Sequence, residues 1–293
     1  GECWENQTVY ADYYRSGIDS FFDFAFAGQD GMIASVVRGS KGAEAYTDAL
    51  IDEEDLFAQT EADGKGRIVK APFYTNHDMA RSTGYYAYDD GAKTKLAGGL
   101  NLLMTGNAFI YYGEELGMKG SGRDENFRAP MYWSDGDDEA GMCRGPENME
   151  NFDMKFPPYT QQLKDESSIY HYYRNAIQIR SSFPVIARGK TKKVPIDGER
   201  AVTAFIRSMS EDDQETGSSA SAAETDEAEA SVMIMINTSE EAKEVDLQGL
   251  TGEASDFDRL SAMLTVGKEP ALLSGGKLTL PPYGIAVLTQ DKS

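Results

Sequence analysis

Three short stretches of this chain combine residue types that can do chemistry. In Phe73-Tyr74-Thr75-Asn76-His77-Asp78 an apolar run of β character ends in an amide, an imidazole and a carboxylate. His77 is one of only two histidines in the chain, so its place beside a carboxylate does not follow from abundance. Residues at the carboxyl end of a parallel strand face the mouth of a barrel, where catalytic groups collect. In Gly1-Glu2-Cys3-Trp4 a glutamate stands next but one to a tryptophan. An apolar ring that desolvates a carboxyl group favours its protonated form, and a carboxyl still protonated near neutral pH can serve as a general acid. The third stretch is Arg123-Asp124-Glu125-Asn126-Phe127-Arg128-Ala129-Pro130-Met131-Tyr132-Trp133. Aromatic faces and two-pronged polar side chains suit a sugar ring, which is apolar on its faces and hydroxylated at its edge. Taken singly, each stretch also has a plainer reading: a polar turn capping a helix, a surface acid, and a loop knitted by Arg–carboxylate pairs.

The elements that must carry these groups are read from hydrophobic periodicity. Residues 20–26 (SFFDFAF), 67–74 (RIVKAPFY) and 108–112 (AFIYY) predict strands. Residues 32–37, 43–57, 91–104 and 167–183 predict helices. In 91–104, Leu96, Leu100 and Leu103 share one face and Gly106 follows as a stop signal. Ser167 or Ser168 can cap the helix at 167–183, and Pro184 lies just past its end. Strands alternating with helices imply a parallel sheet of βα units. The stretch 113–160 is long and irregular, but Phe127, Met131, Tyr132, Trp133, Phe152 and Phe156 make it too apolar for a disordered insertion. A functional loop or a subdomain is the expectation there. From about Thr191 short β-type runs take over at 202–206, 232–236, 243–247, 278–280 and 284–289, predicting a small antiparallel sheet or sandwich. The segment 208–231 interrupts them with eight acidic residues and no basic one. Such a composition cannot bury enough apolar surface to offset the entropy of ordering, so a mobile loop is expected.

Composition narrows the function. The 293 residues are 40% hydrophobic and 11% aromatic, enough to core one large domain or two ordinary ones. The 28 basic residues against 49 acidic ones give a net charge of −21, which argues against nucleic acid and against an anionic membrane surface. It suits a secreted or surface-attached protein with a neutral ligand. No run of about 18 apolar residues exists, so no membrane span is expected. The first residues have neither the basic nor the apolar region of a signal peptide, and any such leader is expected to be absent from this chain. Cys3 and Cys143 are expected as free thiols, and neither lies in a C-x-x-C pair, which argues against zinc and redox motifs. The run 135–139 (DGDDE) lacks the glycine and final glutamate of a calcium loop and is expected to be solvated.

Together and in this order, the three stretches resemble the α-amylase family of glycoside hydrolases, which are TIM-barrel enzymes with an added C-terminal β-sandwich. The resemblance implies an α/β fold. Residues 1–188 would form strands five to eight, the second half of a (β/α)8 barrel, and 189–293 a C-terminal antiparallel β-sandwich carrying the acidic loop 208–231. Residues 1–4 resemble the fifth-strand motif, which makes Glu2 the general acid/base and brings Trp4 to the substrate. Residues 73–78 resemble the seventh-strand motif. There His77, with Asn76, would bind the sugar beside the scissile bond, and Asp78 would stabilise the oxocarbenium-like transition state. Arg81 is similar to a family position that orients that Asp. Residues 109–115 resemble the eighth strand and its turn, and 124–133 the loop lining the glucan cleft, with Asp124 and Arg128 as binding residues. The implied substrate is an α-1,4-linked glucan such as starch or maltodextrin, cleaved with retention. No cofactor is implied for the chemistry. Calcium is common in the family, with ligands lying mostly outside this chain.

The third- and fourth-strand motifs of the family, the latter supplying the nucleophilic Asp, have no counterpart here. Retaining hydrolysis needs acid and nucleophile about 5–5.5 Å apart. This chain is therefore expected to be inactive alone and to pair with an N-terminal half carrying strands one to four, or with another half barrel, since half a barrel exposes sheet edges and an apolar interior. Two other readings use the same residues: a non-catalytic glucan-binding or scaffold relative, and a transglycosylase.

Overall fold

The computed structural model describes residues 1–63, 68–136, 141–209 and 231–290. Expectations placed on 210–230, and on 137–139 of the DGDDE run, lie outside the described residues. In the first part of the chain the ladder bonds are those of parallel pairing. Strand β1 (Phe22–Asp23) pairs in parallel with β2 (Ala71–Pro72), Phe22 opposite Ala71. On one side Phe22 N donates to Gly1 O at 3.1 Å, and the Gly1 ammonium donates to Ser20 O at 2.6 Å. On the other side Asn107 N donates to Lys70 O and Phe109 N to Pro72 O, both at 2.8 Å. The first residues, β1, β2 and the 107–109 segment thus lie side by side in chain order.

These strands are shorter than the apolar runs that announced them. Pro72 has no N–H to donate, so the ladder through β2 breaks early. Side-chain packing continues where the ladder stops. Phe22, Phe24, Phe73 and Phe109 meet edge to face, with ring centroids 5.6 Å apart for Phe22–Phe73 and 4.9 Å for Phe22–Phe109 and Phe24–Phe73.

The helices that pack around this array follow their caps. Helix α1 (Gln7–Tyr14), missed in the periodicity, starts where Asn6 accepts from Val9 N. Helix α2 (Met32–Val37) has the expected bounds, and α3 (Glu44–Asp63) runs past Phe57. Helix α4 (Gly91–Leu102) is capped by Asp90. Two short helices, α5 (Asp124–Phe127) and α6 (Tyr159–Gln162), punctuate the irregular stretch. Ser168, not Ser167, caps α7 (Ile169–Ser182), and α8 (Val185–Arg188) follows Pro184.

The remaining strands are β3 (Lys190–Val194), β4 (Val202–Ser208), β5 (Ser231–Asn237), β6 (Lys243–Asp246), β7 (Arg259–Leu264), β8 (Leu272–Ser274), β9 (Lys277–Leu280) and β10 (Ile285–Thr289). They form two antiparallel sheets, ordered β3-β4-β5-β10-β7 and β6-β9-β8. The larger sheet is buried on both faces. Ile206, Met233, Met235 and Leu288 pack with Val245, Leu278 and Leu280 of the smaller sheet. Phe205, Ile234, Ile236 and Val287 pack into a cluster with Phe26, Tyr46, Leu96 and Tyr172 from the helical part. Both Cys3 and Cys143 are free thiols.

A buried ion pair joins the two parts. Arg207 on β4 is fully buried, and its Nη1 lies 2.8 Å from Glu54 Oε1 on α3. Thr191 donates to Glu54 through its N at 2.7 Å and its hydroxyl at 2.5 Å. Burial pushes the Glu54 carboxyl up, but Arg207, Lys70 and the Thr191 donors outweigh it and hold it below the usual carboxylate range. Substituting Glu54→Gln should therefore cost about 3–5 kcal/mol in urea unfolding at pH 7, because Arg207 is left as an uncompensated buried charge. A depressed carboxylate stabilises above its unfolded pKa and loses that contribution as pH falls through its folded value. The gap between native and variant should accordingly narrow on acidification through the carboxylate range. A gap independent of pH would contradict this assignment.

Candidate active site

Glu2 sits on the segment that runs beside β1, and it is exposed. The indole N–H of Trp4 donates to Glu2 Oε1 at 2.7 Å. The Trp4 ring leans on Phe24, centroids 4.8 Å apart, and stays 63% exposed. The expected apolar cover over Glu2 is thus replaced by a hydrogen bond. The ring face is spent on Phe24, and only its N–H edge reaches the carboxylate. Phe24 in turn meets Phe73, so ring contacts lead from Trp4 to the run that ends in His77 and Asp78.

Asn76, His77 and Asp78 form a tight turn just beyond β2. Asn76 Oδ1 accepts from Asp78 N at 2.9 Å, the local bond by which Asn favours turns. His77 Nε2 lies 3.2 Å from Asp78 Oδ2. The other Asp78 oxygen, Oδ1, accepts from Arg128 Nη2 at 2.8 Å. Arg128 Nη1 lies 3.2 Å from Asp124 Oδ2 and donates to Asp124 O at 3.1 Å. Asp78 is therefore held through Oδ1, with the His77 ring beside Oδ2, and its side chain remains 32% exposed. The structure brings together Asn76, His77, Asp78, Asp124 and Arg128.

Arg81 does not belong to this group. It is fully buried, and its hydrogen bonds go from Nε to Tyr112 O at 3.1 Å and from Nη1 to Lys119 O at 3.4 Å. Its guanidinium lies 4.8 Å from the Tyr111 ring centroid and 4.7 Å from that of Tyr112. The role expected of Arg81, orienting Asp78, falls to Arg128, because the backbone beyond Asp78 turns Arg81 inward. Tyr111 and Tyr112, which the sequence reading left unassigned, hold the Arg128 loop: their hydroxyls donate to Phe127 O at 2.9 Å and Ala129 O at 2.7 Å. Their signal was two adjacent tyrosines closing an apolar run just before Gly113.

A model of the alpha-amylase catalytic domain matches residues 1–189. The chain belongs to the α-amylase family. It is 30% identical to Alpha-amylase 3 of Dictyoglomus thermophilum over 205 residues, covering 70% of this chain and 39% of that protein. Among solved structures it resembles Eubacterium rectale Amy13B, at 36% identity and a TM-score of 0.84, covering 100% of this chain and 53% of the other. The alpha-amylase from H. orenii shares its fold at 24% identity and a TM-score of 0.74, covering 99% of this chain and 53% of the other. This α-amylase family chain thus spans from about two fifths to about half the length of these relatives.

Among the described residues no group of three or more His, Cys, Asp or Glu side chains could hold a metal ion. A cleft of about 490 Å³ lies elsewhere, between the start of α3 and strands β3 and β4, lined by Glu44, Asp48, Lys193 and Arg200. None of the residues that line it belongs to the Asn76–Asp78 turn or to the Asp124–Arg128 loop.

The partly exposed Arg128–Asp78 pair should contribute about 0–1 kcal/mol to stability. Arg128→Ala should therefore leave the unfolding free energy within about 1 kcal/mol of native. It should also release the Asp78 side chain into more than one rotamer in a crystal structure of the variant. A loss above about 2 kcal/mol would make Arg128 a scaffold residue instead.

Proposed function

We propose that residues 1–188 supply strands five to eight of a (β/α)8 barrel, that a segment carrying strands one to four completes it, and that 189–293 form a C-terminal β-sandwich. The assembled enzyme hydrolyses α-1,4-linked glucans with retention of configuration. The observation that carries this reading is Asp78: a carboxylate beyond the carboxyl end of a parallel strand, gripped at Oδ1 by Arg128 with the His77 ring beside Oδ2, yet open to solvent. A fixed, half-open carboxylate is suited to facing the positive charge that develops on a sugar ring.

In this mechanism the completing segment brings the nucleophilic carboxylate. That group attacks the anomeric carbon while Glu2 gives its proton to the leaving glycosidic oxygen. Glu2, now ionised, takes a proton from water, whose oxygen attacks the same carbon and releases the nucleophile. Asp78 stabilises the oxocarbenium-like state in both steps, and His77 binds a hydroxyl of the same ring. Trp4, 63% exposed, offers its remaining surface to the sugar. Asp124 and Arg128 line the cleft beyond Asp78. The acidic charge of −21 supports an extracellular setting, and among the described residues no helix is long and apolar enough to cross a membrane.

Without the nucleophile this chain should not hydrolyse starch. Mixing it with a separately made N-terminal half should restore activity, and Glu2→Gln in the mixture should reduce it by about 10²–10⁴-fold. Full recovery with Glu2→Gln would overturn the assignment of the acid.

A further inference from the structure

The turn that carries His77 and Asp78 has two ends, and one buried side chain holds both. Glu114 follows Gly113, whose φ of 88° lies in the left-handed region, where a Cβ would also come within 2.5 Å of Met118 Sδ. The glycine lets the chain swing Glu114 into the interior, where it is 0% exposed. A carboxyl group in such a place must collect hydrogen-bond partners. Glu114 Oε1 accepts from Thr75 Oγ1 at 2.7 Å and from Ser82 N at 2.9 Å. Its Oε2 accepts from Tyr74 OH at 3.0 Å and from Ser82 Oγ at 2.5 Å. Tyr74 and Thr75 immediately precede Asn76-His77-Asp78, and Ser82 stands four residues after Asp78.

The surroundings keep this arrangement in one state. Burial, with the Glu114 charge added, pushes the phenols of Tyr74, Tyr86 and Tyr173 well above their usual value, so they remain protonated. The Tyr74 and Tyr173 hydroxyls are themselves hydrogen-bonded. The neighbouring acid cannot substitute: Glu115 Oε2 accepts from Gly113 N at 2.8 Å and so serves its own turn.

We propose that Glu114 is a positioning residue for the reaction, a staple across the two ends of the turn that sets where His77 and Asp78 meet the sugar. The inference rests on the role of Asp78 given above and extends it to a side chain that touches no substrate.

The test uses this chain assembled with the completing barrel half, with kcat and KM on maltodextrin normalised to folded enzyme. Glu114→Ala should lower kcat about a hundredfold with little change in KM, as expected when reacting groups are misplaced rather than removed. Glu114→Gln keeps the shape of the staple and can still face the rotatable hydroxyls, so it should recover to within about tenfold of native. Thr75→Val and Ser82→Ala each remove one strand of the staple and should cost a few-fold. Combined with Glu114→Ala they should add nothing further, as expected for members of one network. These milder variants carry the test if Glu114→Ala does not fold. A native kcat per folded enzyme in Glu114→Ala, or losses in Thr75→Val and Ser82→Ala that multiply with it, would overturn the proposal. Asp78→Asn separates the two failures. If it abolishes turnover while the Glu114, Thr75 and Ser82 variants do not, only the staple is wrong. If it leaves turnover intact, the reading of the site falls and the staple falls with it.

Discussion

A carboxylate shut away from water must be met by donors or cations, and the layout of this chain follows from where it meets that demand. Asp23 on β1 takes hydrogen bonds from Gln7 Nε2 at 3.1 Å, Tyr10 OH at 3.2 Å and Ala25 N at 3.2 Å. Burial and the nearby Glu53 push its carboxyl well up. Glu53 instead takes Lys70, whose Nζ lies 2.7 Å away, and Gln7 at 2.9 Å. The next residue, Glu54, takes Arg207 and Thr191. Helix α3 therefore carries adjacent acids that share Lys70 but otherwise turn apart, Glu53 toward the parallel strands and Glu54 toward the antiparallel sheet. Its position relative to both is set by chemistry as much as by apolar contact. Glu114 satisfies the same demand at the Asp78 turn.

Much of this was legible in the chain. The runs at 202–206 and 232–236 read as strands because, Thr203 apart, they are apolar, and they are so because their sheet is covered on both faces. The strands that escaped notice, β3, β7 and β8, are all sheet edges. Edges need no continuous apolar run, and β3 (Lys-Thr-Lys-Lys-Val) shows the lysines that discourage further pairing. Helix α1 escaped because its signal is a cap at Asn6 rather than a long periodic face.

At the site, residue types and order were readable, but partners were not. Asn76, His77 and Asp78 announce themselves as a polar end to an apolar run. Nothing local says that Arg128, fifty residues on, grips Asp78 while Arg81, three residues on, turns inward against two tyrosines. The same holds for Glu2, whose tryptophan neighbour was read as a cover and acts as a donor. Such choices are made by loops that only tertiary structure brings together. The residues that make them, Tyr111, Tyr112 and Glu114, carry no chemistry of their own that a sequence pattern would single out.

Helices α4 and α7 touch at Gly98 and Gly99. A Cβ at these positions would come within 2.2 Å of the Tyr173 ring and 2.4 Å of the Tyr172 hydroxyl. The Tyr173 hydroxyl bonds that of Tyr74, and Tyr74 bonds Glu114. A methyl group added at Gly98 would thus be transmitted through Tyr173, Tyr74 and Glu114 to the turn that carries Asp78. The seam between the two helices therefore has room for a hydrogen and not for a methyl group at either position, and at Gly98 the limit is set by a ring whose far end helps to fix Glu114.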